Sequence, residues 1–298
     1  MSTCMALLTA ASLAVIAGPA IAAQDISKRA SVAPDASVDV SNVQGRVDVT
    51  AWDRNEVELT ALLESDEDKL EFEATERQVR IRVNRPEGKY HDSDDDAILT
   101  LKVPKGARLI VGTVSADITV NGVRGEQRLE SVSGTVDTQA YDAPVTLESV
   151  SGEIVLKGNG GKARVSTENV SGSTIVSGIR GGYEGEAVSG NITAIVAAVD
   201  RLRAGSISGD IEINAELTSA ARAELESISG TVELTLKPPV NAEFDIESFS
   251  GDIENCFGQQ ARDKSKYVPG SELGFTQGSG GARVIIQTLS GEISLCDH

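Results

Sequence analysis

Histidine and aromatic residues are scarce in this sequence, and basic residues are outnumbered by acidic ones. Its 298 residues include two histidines, and aromatic residues make up 3% of the chain. So few imidazoles leave little room for a histidine-rich metal site or for catalysis by imidazole. The 27 Lys and Arg face 45 Asp and Glu, which gives a net charge of -18. This charge argues against nucleic-acid binding, in which Lys and Arg neutralise phosphates, and it disfavours anionic membrane surfaces for the same reason.

A hydrophobic run long enough to cross a membrane comfortably is also missing. The apolar segment ALLTAASLAVIA covers residues 6–17 and is followed by the small residues AIAA at 20–23. This pattern is typical of an export signal, although no Lys or Arg precedes it. We predict a signal peptide at 1–23, cleaved after Ala22 or Ala23, with a retained anchor as the alternative. The mature chain would carry no integral membrane span and would reach the periplasm, the cell surface or the extracellular space.

The prominent feature of the sequence is a repeat. An apolar residue is followed by Ser-Gly and, in most copies, by one polar residue and then Ile or Val. The glycines of these repeats, called corner glycines below, are Gly134, Gly152, Gly172, Gly190, Gly209, Gly230, Gly251 and Gly291. Those from 134 to 251 are separated by 18 to 21 residues, and the last interval is 40 residues. This period is that of one coil of a solenoid.

Other residue types keep fixed places relative to each corner glycine. Apolar residues recur five and two positions before it and two and often four positions after it, as in Leu147, Val150, Ile154 and Leu156 around Gly152. We predict that these apolar positions point inward. Serine recurs three and one positions before the glycine, and we predict that it forms an outward hydroxyl ladder. Glutamates four positions before the glycine would stack beside that ladder, namely Glu130, Glu148, Glu168, Glu186, Glu226 and Glu247.

These patterns predict an all-β fold, a right-handed parallel β-solenoid (β-helix) over residues 109–298. Residues 24–108 would form an N-terminal β region, with a first coil around Gly45 and a small antiparallel element that caps the amino-terminal end. We predict strands of this element at 57–63, 70–74, 79–83 and 98–103.

Several parts of the chain together resemble a known family. These are SNVQGRVDVTAWDRNEVEL at 41–59, the repeated SxSG coils, and RDKSKYVPGSELGFTQGSGGARVIIQTLSGEISL at 262–295. They look like the exported bacterial putative adhesins, a domain-of-unknown-function family with a β-solenoid fold. The resemblance covers nearly all of the mature chain and implies this fold more firmly than any particular activity. It brings no catalytic residue to this sequence.

Two cysteines occupy the same place in the repeat. Cys256 and Cys296 each lie five residues after a corner glycine. If their coils are neighbours, their Cα atoms would stack about 4.8 Å apart, a separation that a disulfide tolerates. We predict this bond in an exported chain, with two independent small hydrophobic residues as the alternative.

The interval between the last two corner glycines departs from the repeat. We predict a long loop at 257–281, a neutral and aromatic segment on an acidic rod. Two roles remain open for it, contact with a partner or cover for one flank of the core. The candidate contact residues are Phe257, Arg262, Lys264, Lys266, Tyr267 and Phe275.

An acidic loop gives a weak calcium signal. Asp92, Asp94 and Asp96 have the spacing that begins a calcium loop, but Ala97 stands where such a loop needs glycine and Val103 where it needs glutamate. A solvated loop is the alternative. The stacked glutamates and serines could also bind calcium or glycan, or serve only as a soluble surface.

The sequence predicts a non-enzymatic exported protein of the cell envelope with an adhesin-like or scaffold role. No cofactor is predicted, and the partner is unknown, with envelope glycan, envelope protein and self-association through the solenoid edge as the options. One alternative is a polysaccharide-active β-helix enzyme, either a glycoside hydrolase or a lyase. The other is a calcium- or glycan-binding module.

Overall fold

A computed structural model describes residues 24–85, 96–265 and 268–297. The signal peptide predicted at 1–23, the calcium candidates Asp92 and Asp94, and the contact candidates Lys266 and Tyr267 lie outside this range. The regular structure of the described residues is all β. Its strands are β1 Gln24–Ser31, β2 Ser37–Asn42, β3 Gly45–Trp52, β4 Glu56–Leu63, β5 Lys69–Ala74, β6 Gln78–Asn84, β7 Ala97–Pro104, β8 Arg108–Thr113, β9 Asp117–Asn121, β10 Gln127–Ser131, β11 Val136–Ala140, β12 Val145–Ser149, β13 Ile154–Gly158, β14 Arg164–Asn169, β15 Thr174–Ala187, β16 Ile192–Ser206, β17 Ile211–Ser227, β18 Val232–Leu236, β19 Ala242–Ser248, β20 Ile253–Asn255, β21 Arg262–Ser265, β22 Val268–Gln277, β23 Ala282–Thr288 and β24 Ile293–Asp297.

The chain winds as a flattened parallel solenoid with two faces. Each coil has one strand that ends at a Ser-Gly corner and a second strand that begins after it. The first face has the order β5-β6-β2-β8-β10-β12-β14-β15-β16-β17-β23-β19-β22-β21. The second face has the order β1-β4-β7-β3-β9-β11-β13-β15-β16-β17-β18-β24-β20. Strands β15, β16 and β17 are long enough to belong to both faces. Because successive coils pair in parallel on both faces, the predicted parallel β-solenoid is confirmed.

A continuous aliphatic core fills the space between the two faces. Within one coil, Leu147 on the first face and Ile154 and Leu156 on the second are fully buried. The same positions are buried in the next coil, where Leu147 pairs with Thr167, Ile154 with Thr174 and Leu156 with Val176. Stacking equivalent side chains keeps them out of water along the whole rod, and each contributes about 1.5 to 3 kcal/mol when fully buried. The buried positions thus follow the alternation of apolar and polar residues along each strand, which has a period of two.

At the amino-terminal end, the segment that we predicted as an antiparallel cap belongs partly to the parallel solenoid and partly to antiparallel strands. All four predicted strands are present, as β4, β5, β6 and β7. Strands β6 and β7, however, run parallel to β2 and β3 and form the outermost solenoid coil. Only β1, β4 and β5 are antiparallel, with β4 on β7, β1 on β4 and β5 on β6. Alternation of apolar and charged residues could not separate these cases, because parallel coils and antiparallel strands share it when one face is wet.

At the carboxyl-terminal end the coils do not follow chain order. The last coil, β23 with β24, lies between the coil of β17 and β18 and the coil of β19 and β20. The segment 257–281, predicted as a long loop, instead contains β21 and β22. Strand β22 pairs antiparallel with β19 and closes the edge of the first face. Alternation in the sequence SELGFTQ explains this difference, since it directs Leu273 and Phe275 toward the core.

Candidate functional site

Most corners are built by a serine that points inward, contrary to our prediction of an outward hydroxyl ladder. Ser149, three positions before Gly152, is buried, and its Oγ accepts a hydrogen bond of 2.9 Å from the Gly152 backbone N–H. Asn169 makes the same bond to Gly172 through its side-chain oxygen, also at 2.9 Å. This bond satisfies a backbone donor at the bend, as Ser and Asn do in turns. Of the two predicted serine positions, only the one directly before the glycine is exposed.

The inward serine forces the neighbouring apolar residue outward. Successive strand side chains point to opposite sides, so the residue two positions before the corner glycine faces solvent. We predicted that this residue would lie in the core, and that prediction is wrong. Nine large hydrophobic residues are instead 40 to 50% exposed in one column, which we call the aliphatic ridge. Its members, in spatial order, are Val114, Val132, Val150, Val170, Val188, Ile207, Ile228, Leu289 and Phe249.

Hydrogen bonds between coils align the ridge. The Val150 N–H donates to the Ser131 carbonyl at 3.2 Å, and the Val150 carbonyl accepts from the Ser171 N–H at 2.9 Å. The same pattern repeats at Val170 and Val188. With coils about 4.8 Å apart, the ridge is about 40 Å long. Exposure of so much aligned apolar surface is uncommon for an isolated protein and is typical of a binding surface.

A column of carboxylates runs parallel to the ridge. The six glutamates predicted on the outside lie on the first face, half-buried or exposed, and we call them the acidic column. The Arg128 guanidinium donates to Glu130 at 2.6 Å and pairs with Glu148 at 2.7 Å. The hydrogen bond that Arg128 donates to Glu130, followed by the charge of Glu148, raises the pKa of Arg128 above its ordinary value. The column is interrupted at Gly205 and Gln287, where no carboxylate stands.

A long groove lies between the ridge and the acidic column. Its volume is about 1140 Å³, and it extends from the coil of Val43 to the coil of Phe249. The ridge and the acidic column form its walls, and the serine positions form its floor. Near the carboxyl-terminal end Lys264 pairs with Glu247 at 2.9 Å, so this basic residue sits at the acidic wall. The groove therefore offers aliphatic surface and negative charge together.

The structure joins Cys256 and Cys296 by a disulfide across neighbouring coils. Their Cα atoms are 4.8 Å apart. The two coils are neighbours because the last coil is inserted below β19 and β20, and the Cys256 N–H also donates to the Leu295 carbonyl at 2.9 Å. The disulfide therefore ties the inserted coil to the outermost coil.

Two of the predicted contact residues form an aromatic cluster on the core. The ring of Phe275 stacks on that of Phe244 with centroids 4.5 Å apart, and Phe257 lies 5.5 Å from Phe244. Both rings are partly buried against the core, which agrees with the alternative that they cover its flank. Of the basic contact candidates, the two within the described residues lie elsewhere: Arg262 is exposed on β21, and Lys264 lines the groove.

Of the acidic loop, Asp96 lies within the described residues. Asp96, the one calcium candidate within the described residues, donates its backbone N–H to the Glu64 carboxylate at 3.2 Å. Among residues 24–85, 96–265 and 268–297, three or more metal-ligating side chains do not come together at one place. Across the same residues, no helix has the length and apolar character needed to cross a membrane.

The ridge and groove are the features that our sequence interpretation missed. We placed the apolar positions five and two residues before the corner glycine both inward. A signal was present, since strict alternation from Leu147 reaches Ser149 rather than Val150. The Ser, Asn or Thr found at that position in most coils is also the residue type that bonds a nearby backbone N–H.

Comparison with known proteins identifies a family and several solved structures that align with this chain. A family model described as Toastrack DUF4097 matches residues 35–296. The curated proteins contain no match to this sequence. A solved structure of a putative adhesin from Bacteroides fragilis is 13% identical with a TM-score of 0.42, and the alignment covers 91% of this chain and 97% of that one. A putative lipid binding protein from Parabacteroides distasonis is 12% identical with a TM-score of 0.42, covering 92% and 96%. A putative adhesin from Parabacteroides merdae is 11% identical with a TM-score of 0.26, covering 92% and 96%.

Proposed function

The chain belongs to the Toastrack DUF4097 family, and on this premise we propose that it is a non-enzymatic, exported, adhesin-like protein of the cell envelope that holds its partner along the groove. The observation that carries the proposal is the aliphatic ridge, whose nine large side chains stay 40 to 50% exposed in one line. A solenoid that had no partner on this face would gain solubility by placing polar residues there.

The uniformity of the groove favours binding over catalysis. An enzyme concentrates its chemistry at one place, where a few polar groups converge in a pocket and shift each other's pKa values. Here the ridge, serine and glutamate positions repeat from coil to coil, and the carboxylates of the acidic column are half-buried or exposed. Such a surface supports extended contact with a long partner.

Export is the second part of the proposal. It is supported by the signal-like segment at 1–23 and by the disulfide, because such bonds persist in oxidising compartments. A tagged chain produced in its native organism should appear in the periplasmic or surface fraction, with an amino terminus at residue 23 or 24. Recovery of the chain in the cytoplasm with residues 1–23 intact would overturn this part.

Binding can be tested with matched variants. We expect the purified chain to adhere to envelope fragments of its own organism fixed to a plate. The double variant Val150→Ser/Val170→Ser should weaken adhesion about tenfold, because each change removes apolar contact area. The control Ile175→Ser/Ile195→Ser changes two exposed aliphatic residues that lie away from the groove and should leave adhesion unchanged.

Three results would count against the proposed function. Absence of adhesion by the wild-type chain would contradict a binding role at the envelope. Equal loss in the two double variants would remove the groove as the binding surface. Release of soluble sugar from envelope polysaccharide by the purified chain would show enzymatic activity and overturn the non-enzymatic assignment.

A further inference from the structure

We propose that the groove binds an amphipathic α-helix that lies along the solenoid axis, with its apolar side on the aliphatic ridge and Lys or Arg against the acidic column. This inference rests on the proposed function, since it names the class of partner that the same groove would hold. The partner is a protein segment of basic, amphipathic character.

The backbone at the groove argues for a helix over an extended strand. At Val150 the backbone N–H donates to a carbonyl of the preceding coil, and the backbone carbonyl accepts from an N–H of the following coil. The backbone along the ridge therefore already has its hydrogen-bond partners. The sheet edges of the first face carry the antiparallel strands β5 and β21. An extended peptide along the groove would therefore leave its own backbone without partners, whereas a helix satisfies its backbone internally.

The negative charge of the groove favours a helix that carries basic residues along one flank. Residues 109–255 contain ten basic and 22 acidic side chains, and six glutamates form the groove wall. A second copy of this chain would bring its own acidic column against the first, and anionic lipid headgroups would meet the same repulsion. Three glutamates of the acidic column already pair with Arg128 or Lys264. The other three, Glu168, Glu186 and Glu226, would pair with Lys or Arg on the flank of a helix while the helix covers the ridge.

The spacing of the ridge also suits a helix. One turn of an α-helix rises about 5.4 Å, and one coil of the solenoid rises about 4.8 Å. Over four turns the two repeats drift apart by about 2 Å, which flexible side chains can absorb. A helix of 18 residues is about 27 Å long and would cover five or six coils.

A synthetic peptide provides the test. The probe is an 18-residue peptide of leucine and lysine, with leucines at helical spacing on one side and lysines on the other, labelled with a fluorophore. We expect saturable binding to the full chain by fluorescence anisotropy, a gain of helical circular dichroism in the peptide, and weaker binding at high salt because exposed charges are screened. A diastereomer with two central residues in the D configuration keeps the composition but disfavours the helix, and it should bind at least about tenfold more weakly.

Variants of the chain locate the peptide. Val150→Ser/Val170→Ser should reduce affinity about tenfold, and Ile175→Ser/Ile195→Ser should not. The triple variant Glu168→Gln/Glu186→Gln/Glu226→Gln should weaken binding and reduce its salt dependence. Its control, Glu212→Gln/Glu233→Gln/Glu254→Gln, makes the same change in net charge on the second face and should bind as wild type. Circular dichroism and unfolding midpoints establish that each variant is folded.

The outcomes separate this inference from the proposed function. Equal binding by the D-containing peptide, or equal loss with both glutamate sets, would overturn the helix assignment. If envelope adhesion depends on Val150 and Val170 but the peptide does not bind, the proposed function stands and the partner class is wrong. If the chain does not adhere to envelope fragments at all, the proposed function fails whatever the peptide does.

Discussion

At the scale of single residues, the corner glycines are fixed by close contact between coils. A Cβ added at Gly172 would lie 2.0 Å from the Gly152 carbonyl oxygen, and one added at Gly190 would lie 2.0 Å from that of Gly172. The neighbouring atom is backbone held in the parallel ladder, so it cannot move aside without breaking interstrand hydrogen bonds. The repeat therefore requires glycine at this position for the approach of adjacent coils.

Replacing a corner glycine should be costly. We expect Gly190→Ala to lower the free energy of unfolding by about 3 kcal/mol or more, because the added methyl group overlaps the Gly172 backbone of the preceding coil. Gly205→Ala is the control, since a Cβ there meets nothing within 4 Å. Urea unfolding followed by circular dichroism measures both. Similar midpoints for the two variants would contradict the contact argument.

A second residue-scale feature is the buried tyrosine of β15. The Tyr183 ring lies in the core, and its hydroxyl is 3.0 Å from the Thr167 hydroxyl. A Cβ at Gly185 would lie 2.5 Å from the Tyr183 oxygen, so this glycine provides the space for the ring. Burial raises the pKa of Tyr183 to about 12, with the bond to Thr167 opposing the shift.

This tyrosine should make stability depend on alkaline pH. The folded-state pKa lies above the unfolded value of about 10, so the stabilising contribution is complete below pH 10 and is lost as pH rises toward 12. We expect the unfolding free energy of wild type minus that of Tyr183→Phe to fall by about 2 kcal/mol between pH 9 and pH 12. Parallel curves for the two proteins over this range would show that Tyr183 ionises normally.

At the scale of elements, the insertion of β23 and β24 closes the carboxyl-terminal end. The chain leaves β18, forms the outer coil of β19 and β20, turns back through β21 and β22, and then fills the space between. The inserted coil is paired on both edges, with β17 and β19 on the first face and β18 and β20 on the second. The disulfide then links the inserted coil to the outer one.

The disulfide should contribute measurably to stability. It spans a sequence separation of 40 residues, for which the chain-entropy model gives about 3 to 4 kcal/mol. We expect a reductant to lower the urea midpoint of wild type to that of Cys256→Ser/Cys296→Ser and to leave the double variant unchanged. Thiol titration of the unfolded wild type verifies the oxidised state. A reductant effect of equal size in both proteins would show that the bond is not its cause.

At the scale of the whole molecule, the solenoid behaves as a stack in which each coil contacts its neighbours. Central coils are nearly equivalent, since the strands of β12 and β13 pair with β14 and β15 in the same register that they use with β10 and β11. Stability should then be close to a sum over coils and their interfaces. The end coils differ, because they are held by insertion and by antiparallel strands.

Coil deletions should reveal this difference. Removing residues 173–190 deletes one complete repeat and joins Gly172 to Asn191 in the same register, so we expect a folded β protein with a modestly lower unfolding midpoint. Removing residues 282–298 deletes the inserted coil, and we expect loss of cooperative unfolding. Both are measured by circular dichroism in reductant against the reduced wild type. An unfolded central deletion beside a folded terminal one would contradict the stacked arrangement.

The sequence by itself determined the coil, its period and most of its inward positions, because burial of Leu147, Ile154 and Leu156 follows from alternation that is local to each strand. It also placed Cys256 and Cys296 at equivalent points of two coils. Tertiary structure decided which coils are neighbours, since the insertion of β23 and β24 depends on pairing between strands far apart in the chain. It also decided the directions of Val150 and Ser149, because a buried Ser149 oxygen accepts the Gly152 N–H and holds Ser149 inward at the bend. Ser149 and its counterparts in the other coils point inward, so the ridge residues that follow them face outward and create the groove.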